Sequence, residues 1–435
     1  MMPTLDHKPQ PLMIAYGRGH LPLLMPPEAE VTTIRKRALP KLPDKAAAIY
    51  RALEAEPIGS PPLSVLAEGR SSACILICDI TRPVPNRLFL RPMIETMVAA
   101  GIPLDRVTVL VATGLHRPNL GEELAELVGD PWVLAEVRIE NHYARDEAGL
   151  VDLGRTATRG TPIKLNRHFV EADLRIATGL VEPHFMAGWS GGRKVIAPGV
   201  AGHETIRTFH SARFMEDPLA VQCNLIGNPL HEEQLEIVRT VGECYALNTV
   251  LDEDRDLVCV TFGEIIASHA AAVDFVASST RVPVGRRFKT VVTSSAGYPL
   301  DKTYYQTIKG MVTPLDILEP GGTLIMASEC SEGFGSDEFR AAQQRLVDLG
   351  PERFLATLMA KTLAEVDEWQ TEMQLKSLRL GRVELYTTGL DEDDRAITGV
   401  NIVTNIDRAI EEAMSRVGDP AIAVIPEGPY VIPYA

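Results

Sequence analysis

VTVLVATGLHRPNLGEELAELVG, residues 107–129, reads as a strand, a polar loop and a helix in succession. The apolar, branched run at its start is short enough for a buried strand, and LGEELAELVG has the look of a helix. The same punctuation recurs on both sides. SACILICDI (72–80) is an apolar strand leading into DITRPVPNRLFLRPMIETMVAAG, where a helix is expected from about Leu90 to Gly101. LRIATGL (174–180) again ends on Thr-Gly before a loop carrying polar residues. Strands alternating with helices give an α/β fold whose parallel strands deliver functional loops at their carboxyl ends.

Further out, LMIAYG (12–17) is an opening strand, and the pattern restarts near residue 289. KTVVTSSAGYPLD (289–301) reads as strand and turn, YQTIKGMVTPLDIL as a helix, and PGGTLIMASEC (320–330) as a turn and second strand. One long helical region (338–376), the strand GRVELYTTG, the helix DRAIEEAMSRVG and the strand AIAVIPEG follow. The basic stretch RVPVGRRF (281–288) is the expected linker. We therefore expect two α/β domains with parallel-type sheets, 1–287 and 288–435, with room for the last helix and strand to pack back on the first.

A chain of 435 residues is too long for one core, which agrees with two domains. The 43 Lys+Arg against 58 Asp+Glu give a formal charge of -15, which works against nucleic acid or an anionic membrane as a partner. An anionic ligand therefore needs a locally basic pocket. Six scattered Cys without CxxC spacing point to a reduced, cytoplasmic protein. The N-terminus has no basic region followed by an apolar stretch, and no window is long enough to span a membrane, so the chain is expected to be unprocessed.

Chemistry concentrates in TGLVEPHFMAGWSGGRKVIAPGVAGHETIRTFHS (178–211). Gly191 and Gly192 beside Ser190, with Arg193 and Lys194, suit a phosphate, or else form a surface Gly-rich turn. His203 and His210 lie seven apart, and each reads as a metal ligand or as a capping or core histidine. His116 and His184 follow directly after two strands, where neutral imidazoles could work on opposite sides of one carbon. Asp79, Thr81 and Arg82 offer a carboxylate, a hydroxyl and a guanidinium able to grip a carboxylate, or a structural turn. Tyr305, Gln306 and Lys309 share a helix, with Tyr305 and Lys309 on one face.

DxTRP (79–83), TGLHRPN (113–119), EPHFMAGWSGGRK (182–194), FHS (209–211), YYQTIKG (304–310) and Trp369 together resemble the nickel-dependent lactate racemase family. The resemblance covers most of the chain, in order. It implies an active site in the cleft between two α/β domains, and a nickel pincer nucleotide of the pyridinium-3,5-bisthiocarboxylic acid mononucleotide type. Lys194 would hold that cofactor and His210 would ligate nickel. Asp79, Ile80, Thr81 and Arg82 would approach the cofactor, as would Ser190, Gly191, Gly192 and Arg193. His116 and His184 would be paired acid/bases, Arg82, Gln306 and Lys309 would position substrate, and Tyr305 and Trp369 would line its pocket. His203 keeps its structural reading.

The implied reaction inverts C2 of a 2-hydroxy acid, lactate-like or malate-like, by reversible hydride transfer, which avoids a carbanion beside a carboxylate. Tyr305, Trp369 and Phe185 favour a small or aliphatic substrate, whereas Arg117 or Arg193 could receive a second carboxylate. Separate maturation enzymes are implied partners, because the cofactor is not encoded in the chain. Two other readings stand beside this one: a 2-hydroxy acid dehydrogenase releasing the keto acid, and a non-catalytic nickel- or nucleotide-binding protein. GxGxxG after the first strand, which would favour the dehydrogenase, is absent. The sequence leaves the oligomeric state open, a homo-oligomer included.

Overall fold

The computed structural model describes residues 11–435, so the first ten residues, on which part of the N-terminal reading rests, lie outside the described residues. The chain forms two compact units. One comprises Arg37–Ser279 with Lys361–Ala364, and the other the residues up to Lys36 together with Thr280–Ala360 and Glu365–Ala435.

The first unit is built on a six-stranded sheet. Its spatial order is Leu257–Glu264, Tyr245–Leu251, Leu174–Leu180, Ala73–Cys78, Val107–Ala112, Arg138–Asn141. All neighbours are parallel except the first two strands. ACILIC (73–78) is buried at its first five positions, as a central strand covered on both faces must be. Ile75, Ile77, Val109 and Val111 pack with Phe89, Met93 and Met97 of the helix Asn86–Ala99 into one core. That helix starts earlier than the expected Leu90 and carries Pro92 inside it.

From the strand Ala73–Cys78 the chain moves one way, to Val107–Ala112 and Arg138–Asn141. From Leu174–Leu180 it moves the other way, to Tyr245–Leu251. The loops after Ala73–Cys78 and Leu174–Leu180 therefore part at a topological switch point, where open α/β sheets leave a crevice beyond their strand ends.

The second unit carries an all-parallel sheet in the order Asn401–Val403, Arg382–Tyr386, Leu318–Ala327, Phe288–Ser294, Ala421–Ile425, Glu30–Thr33. Three sequence expectations change here. The division expected between 287 and 288 falls between Ser279 and Thr280, and the opening strands, expected in the N-terminal domain, belong to the C-terminal unit. The reason is Ala421–Ile425, buried at every position, which needs a partner on each edge and takes Phe288–Ser294 on one and Glu30–Thr33 on the other. The last helix, Ile406–Val417, and this strand, which had been given room in the first domain, belong to the C-terminal unit.

The expected linker contains a short strand, Arg281–Pro283, paired in parallel with Ile432–Tyr434. The single long helical region is three helices: Asp337–Leu349, Pro351–Met359 and Glu368–Leu380. Gly350 at φ 76° and Pro351 end the first, because proline supplies no amide to continue it. Asp367, at φ 63°, sets the start of the third.

Candidate active site

Three neighbouring parallel strands of the first unit deliver the candidate residues from their carboxyl ends. The middle strand, Ala73–Cys78, leads to Asp79–Arg82; Val107–Ala112 leads to His116; Leu174–Leu180 leads to His184. The loop of the middle strand bonds to both of its neighbours.

On one side, Asp79 Oδ2 lies 2.5 Å from His116 Nδ1. Asp79 is 5% exposed, and its other oxygen accepts from the Thr81 hydroxyl at 2.6 Å. Burial pushes this carboxyl up. The His116 hydrogen bond and charge, the Thr81 hydroxyl and the Arg82 guanidinium outweigh it and hold the group below its ordinary value. The His116 ring itself is mostly exposed. Its loop is braced by Asn119, which accepts from the Ile80 amide at 3.3 Å and exchanges two bonds with Asn141 at 2.9 and 3.0 Å. Gly114, at φ 56°, donates to the Gly199 carbonyl at 2.9 Å, which ties this loop to the segment after Lys194.

On the other side, Arg82 Nη1 lies 3.8 Å from Glu182 Oε1. Glu182 stands in the quoted motif EPHF, yet sequence reasoning gave it no role. Its amide donates to Ser190 Oγ at 2.9 Å, and Ser190 Oγ donates to the Leu180 carbonyl at 2.7 Å. The short antiparallel pair of Pro183–His184 with Gly188–Trp189 folds the loop back. Inside that turn, His184 Nδ1 accepts from the Ala187 and Met186 amides at 3.2 and 3.4 Å, and its ring stacks on Phe185 with centroids 5.1 Å apart.

The Gly-rich segment is organised from within. The Ser190 amide donates to the Glu182 carbonyl and the Gly192 amide to Asn248 Oδ1 at 3.1 Å. Of the two glycine amides expected to cradle a phosphate, that of Gly192 is thus already committed. A Cβ on Gly191 would meet Val181 Cγ2 at 2.7 Å, so this glycine serves close internal packing. Arg193, expected to approach the cofactor, turns inward. It is 2% exposed, donates to the Ala187 carbonyl at 2.9 Å and faces His269 Nε2 at 3.1 Å. Burial pushes its guanidinium down to about 9. Asn248 and His269, which hold this segment, carry no local motif that would single them out.

Lys194 is half-buried and its charge reaches His210. His210 caps the helix His203–Phe209, is 8% exposed, and its Nδ1 donates to the Ile206 carbonyl at 2.8 Å. Burial first, then Lys194, push this imidazole down to about 3 against the opposing pull of the Ile206 carbonyl. His210 is thus a neutral ring whose Nε2 carries the lone pair. His203 begins the same helix, with its amide on the Ala144 carbonyl and Nδ1 3.7 Å from Glu147, in keeping with a structural role.

In the C-terminal unit, Tyr305, Gln306 and Lys309 lie on the helix Tyr304–Val312, which follows the sheet's own switch-point strand, Phe288–Ser294. Thr303 caps it. The Tyr305 ring meets Phe339 edge-on at 5.1 Å, and its carbonyl accepts from Gln370 Nε2 at 2.7 Å, beside the buried Trp369. Gln306 Oε1 is buried without a hydrogen-bond partner. Arg117, considered for a second carboxylate, is held by both oxygens of Glu123 at 2.9 and 2.6 Å. Among the described residues no helix is long and apolar enough to cross a membrane, and all six Cys are free thiols.

Comparison with known proteins gives the family of the whole chain. The family model for the lactate racemase N-terminal domain matches residues 16–222, and that for the lactate racemase C-terminal domain matches 286–432. Lactate racemase of Lactiplantibacillus plantarum is 34% identical over 382 residues, covering 86% of this chain and 88% of the relative. Lactate racemase of Thermoanaerobacterium thermosaccharolyticum is 31% identical over 424 residues, covering 96% and 98%. The solved structure of the lactate racemase apoprotein from that second organism superposes with a TM-score of 0.89 at 28% identity, over 98% of this chain and 100% of that one.

Proposed function

The chain belongs to the lactate racemase family, and we propose that it inverts C2 of a short 2-hydroxy acid such as lactate, with a nickel pincer nucleotide as resident cofactor. The observation that carries this reading is the 2.5 Å His116–Asp79 pair at the carboxyl ends of the strands, beside the switch point. A buried carboxylate behind an exposed imidazole is the arrangement of a proton-transfer group.

The residues present fit such a cofactor. A ligating histidine donates its other ring N–H to a carbonyl or carboxylate, as His210 Nδ1 does to Ile206. Lys194, whose charge reaches His210, would anchor the nucleotide. Among the described residues no three His, Cys, Asp or Glu cluster to hold a metal unaided, so a metal at His210 would draw its other donors from the nucleotide. When bound, the nucleotide supplies a hydride acceptor.

In this reading His116 and His184 move or hold the proton of the C2 hydroxyl while C2 becomes planar. Arg82 takes the substrate carboxylate in competition with Glu182. Gln306 and Lys309 position the substrate, and Tyr305 and Trp369 line its pocket. Asp79, Ile80 and Thr81 approach the cofactor, as do Ser190, Gly191 and Gly192. The engagement of Arg117 by Glu123 and the inward turn of Arg193 support a monocarboxylate over a dicarboxylate. Maturation enzymes would supply the nucleotide, and the protein would work in the cytoplasm.

Chiral chromatography of separate D- and L-2-hydroxy acids, incubated with cofactor-loaded protein, tests the proposal. Interconversion of lactate enantiomers is expected. Release of a keto acid would point to a dehydrogenase, and no turnover of any 2-hydroxy acid to a binding protein.

A further inference from the structure

Outside the strand-end loops the first unit holds a cavity of about 620 Å³, within the range of small-molecule sites. One wall is the helix Pro229–Val241, on which His231, Leu235 and Arg239 follow at four-residue steps and so form one stripe. Another is the loop of Leu225, Ile226 and Gly227. That loop is held by its own asparagines. Asn224 donates to the Leu219 and Ile226 carbonyls at 2.9 and 3.0 Å, and Asn228 donates to the Met186 and Asn224 carbonyls, both at 3.0 Å, while capping the helix. Ile226 is 87% exposed, a large apolar side chain left at the rim.

The acids of the lining are committed elsewhere. Glu232 pairs with Arg159 at 3.1 Å, and Glu236 accepts from the Ala157 and Thr158 amides. Arg239 is exposed, and among the described residues it has neither an ion pair nor a side-chain hydrogen bond. His231 adds a neutral group, since burial first, then the charges of Arg193 and Arg239, push its ring down to about 3. Its Nδ1 is buried without a hydrogen-bond partner, so Nε2 is the nitrogen left to line the cavity. The buried Arg193 charge favours the lone pair on the inner nitrogen and leaves the proton on Nε2, a donor.

We propose that this cavity binds a medium-chain aliphatic carboxylate, its anionic end on Arg239, its chain along Leu235 against Leu225 and Ile226, and a polar far end on His231 Nε2. Two helical turns separate Arg239 from His231, about 12 Å along the axis, which an extended chain of about eight carbons covers. Glu232 and Glu236 nearby disfavour a dianion, which selects a carboxylate over a phosphate. The site does not depend on the reaction proposed above.

Isothermal titration of sodium octanoate into the whole chain, without cofactor, tests this. Saturable one-to-one binding is expected, weaker on the order of tenfold or more in R239Q, with octan-1-ol binding less tightly than octanoate. Hydroxylation of octanoate at its far end should tighten binding to the unaltered chain and give no gain in H231F. Arg239 is exposed, so R239Q should melt as the unaltered chain does, which separates lost binding from lost folding. No saturable binding, equal octanoate affinity in R239Q, or octan-1-ol binding as tightly as octanoate would overturn the proposal. So would a concentration-dependent dimer that I226N breaks and octanoate cannot enter, because this face would then be an interface between copies.

Discussion

Asp79 Oδ2 and His116 Nδ1, from the loops after two adjacent strands, meet at 2.5 Å and turn a mostly exposed imidazole into one of fixed orientation. The catalytic reading places the reactive nitrogen on the far side of the ring. His116→Ala is therefore expected to slow turnover by on the order of 10²-fold or more with little change in thermal stability.

Arg82→Lys keeps the charge but loses the planar fork that matches a carboxylate. The KM for a 2-hydroxy acid should rise roughly tenfold or more, the cost of a weakened charged hydrogen bond. Glu182→Gln removes the competing carboxylate 3.8 Å away and should move KM the other way. Steady-state kinetics on both variants checks the pair, and equal KM values across all three proteins would dismiss Arg82 as the clamp.

Lys194→Ala should lose tight nucleotide retention, and His210→Ala should lose nickel while Lys194 still anchors the nucleotide. Metal analysis together with intact-protein mass spectrometry reads both. Unchanged metal and cofactor content in purified protein would remove these assignments.

Gly192 sits at φ 48°, and an added Cβ would fall 2.9 Å from the His269 ring, itself fixed at 2.8 Å on the Ser190 carbonyl. Gly192→Ala should cost roughly 1–3 kcal/mol. A urea midpoint equal to that of the unaltered chain would contradict this.

His142 is buried, with Nε2 on the Ala201 carbonyl at 2.9 Å and Nδ1 accepting from Asn166 Nδ2 at 3.2 Å. Burial, against the pull of the Ala201 carbonyl, pushes this imidazole down to about 4. Between the usual histidine value and pH 4 the unfolded chain binds a proton that the native state refuses, so stability falls as pH falls through this window. The slope attributable to His142 is up to about 1.4 kcal/mol per pH unit and should vanish in His142→Asn. Asp79 behaves otherwise: its contribution persists through the window and is lost only as pH falls through its depressed value. Denaturant midpoints across pH distinguish the two.

The strands were legible because ACILIC, VTVLVA and LRIATGL are apolar on both faces, and the loops behind them carry the polar residues that such strands exclude. Sheet order was not legible, since an apolar run says nothing of its neighbour. That is why Glu30–Thr33, exposed at every position, could not be assigned to its unit. At the site, residue types were readable and directions were not. Arg193 looks like its neighbour Lys194 in sequence, yet the turn at Gly192 buries it, and Glu182 gains its role only through an ion pair made by folding.

The strand Glu30–Thr33 pairs with Ala421–Ile425, so a segment waits for one made almost four hundred residues after it. During synthesis the unit spanning Arg37–Ser279 has all but four of its residues before the other sheet can close. The half carrying His116 and His184 can thus mature on the ribosome, while the half carrying Gln306 and Lys309 assembles around a strand held in reserve. A truncation before residue 421 should leave the first half folded and the second without the strand that joins Glu30–Thr33 to Phe288–Ser294, so nascent chains should be open to proteases in the late-closing half.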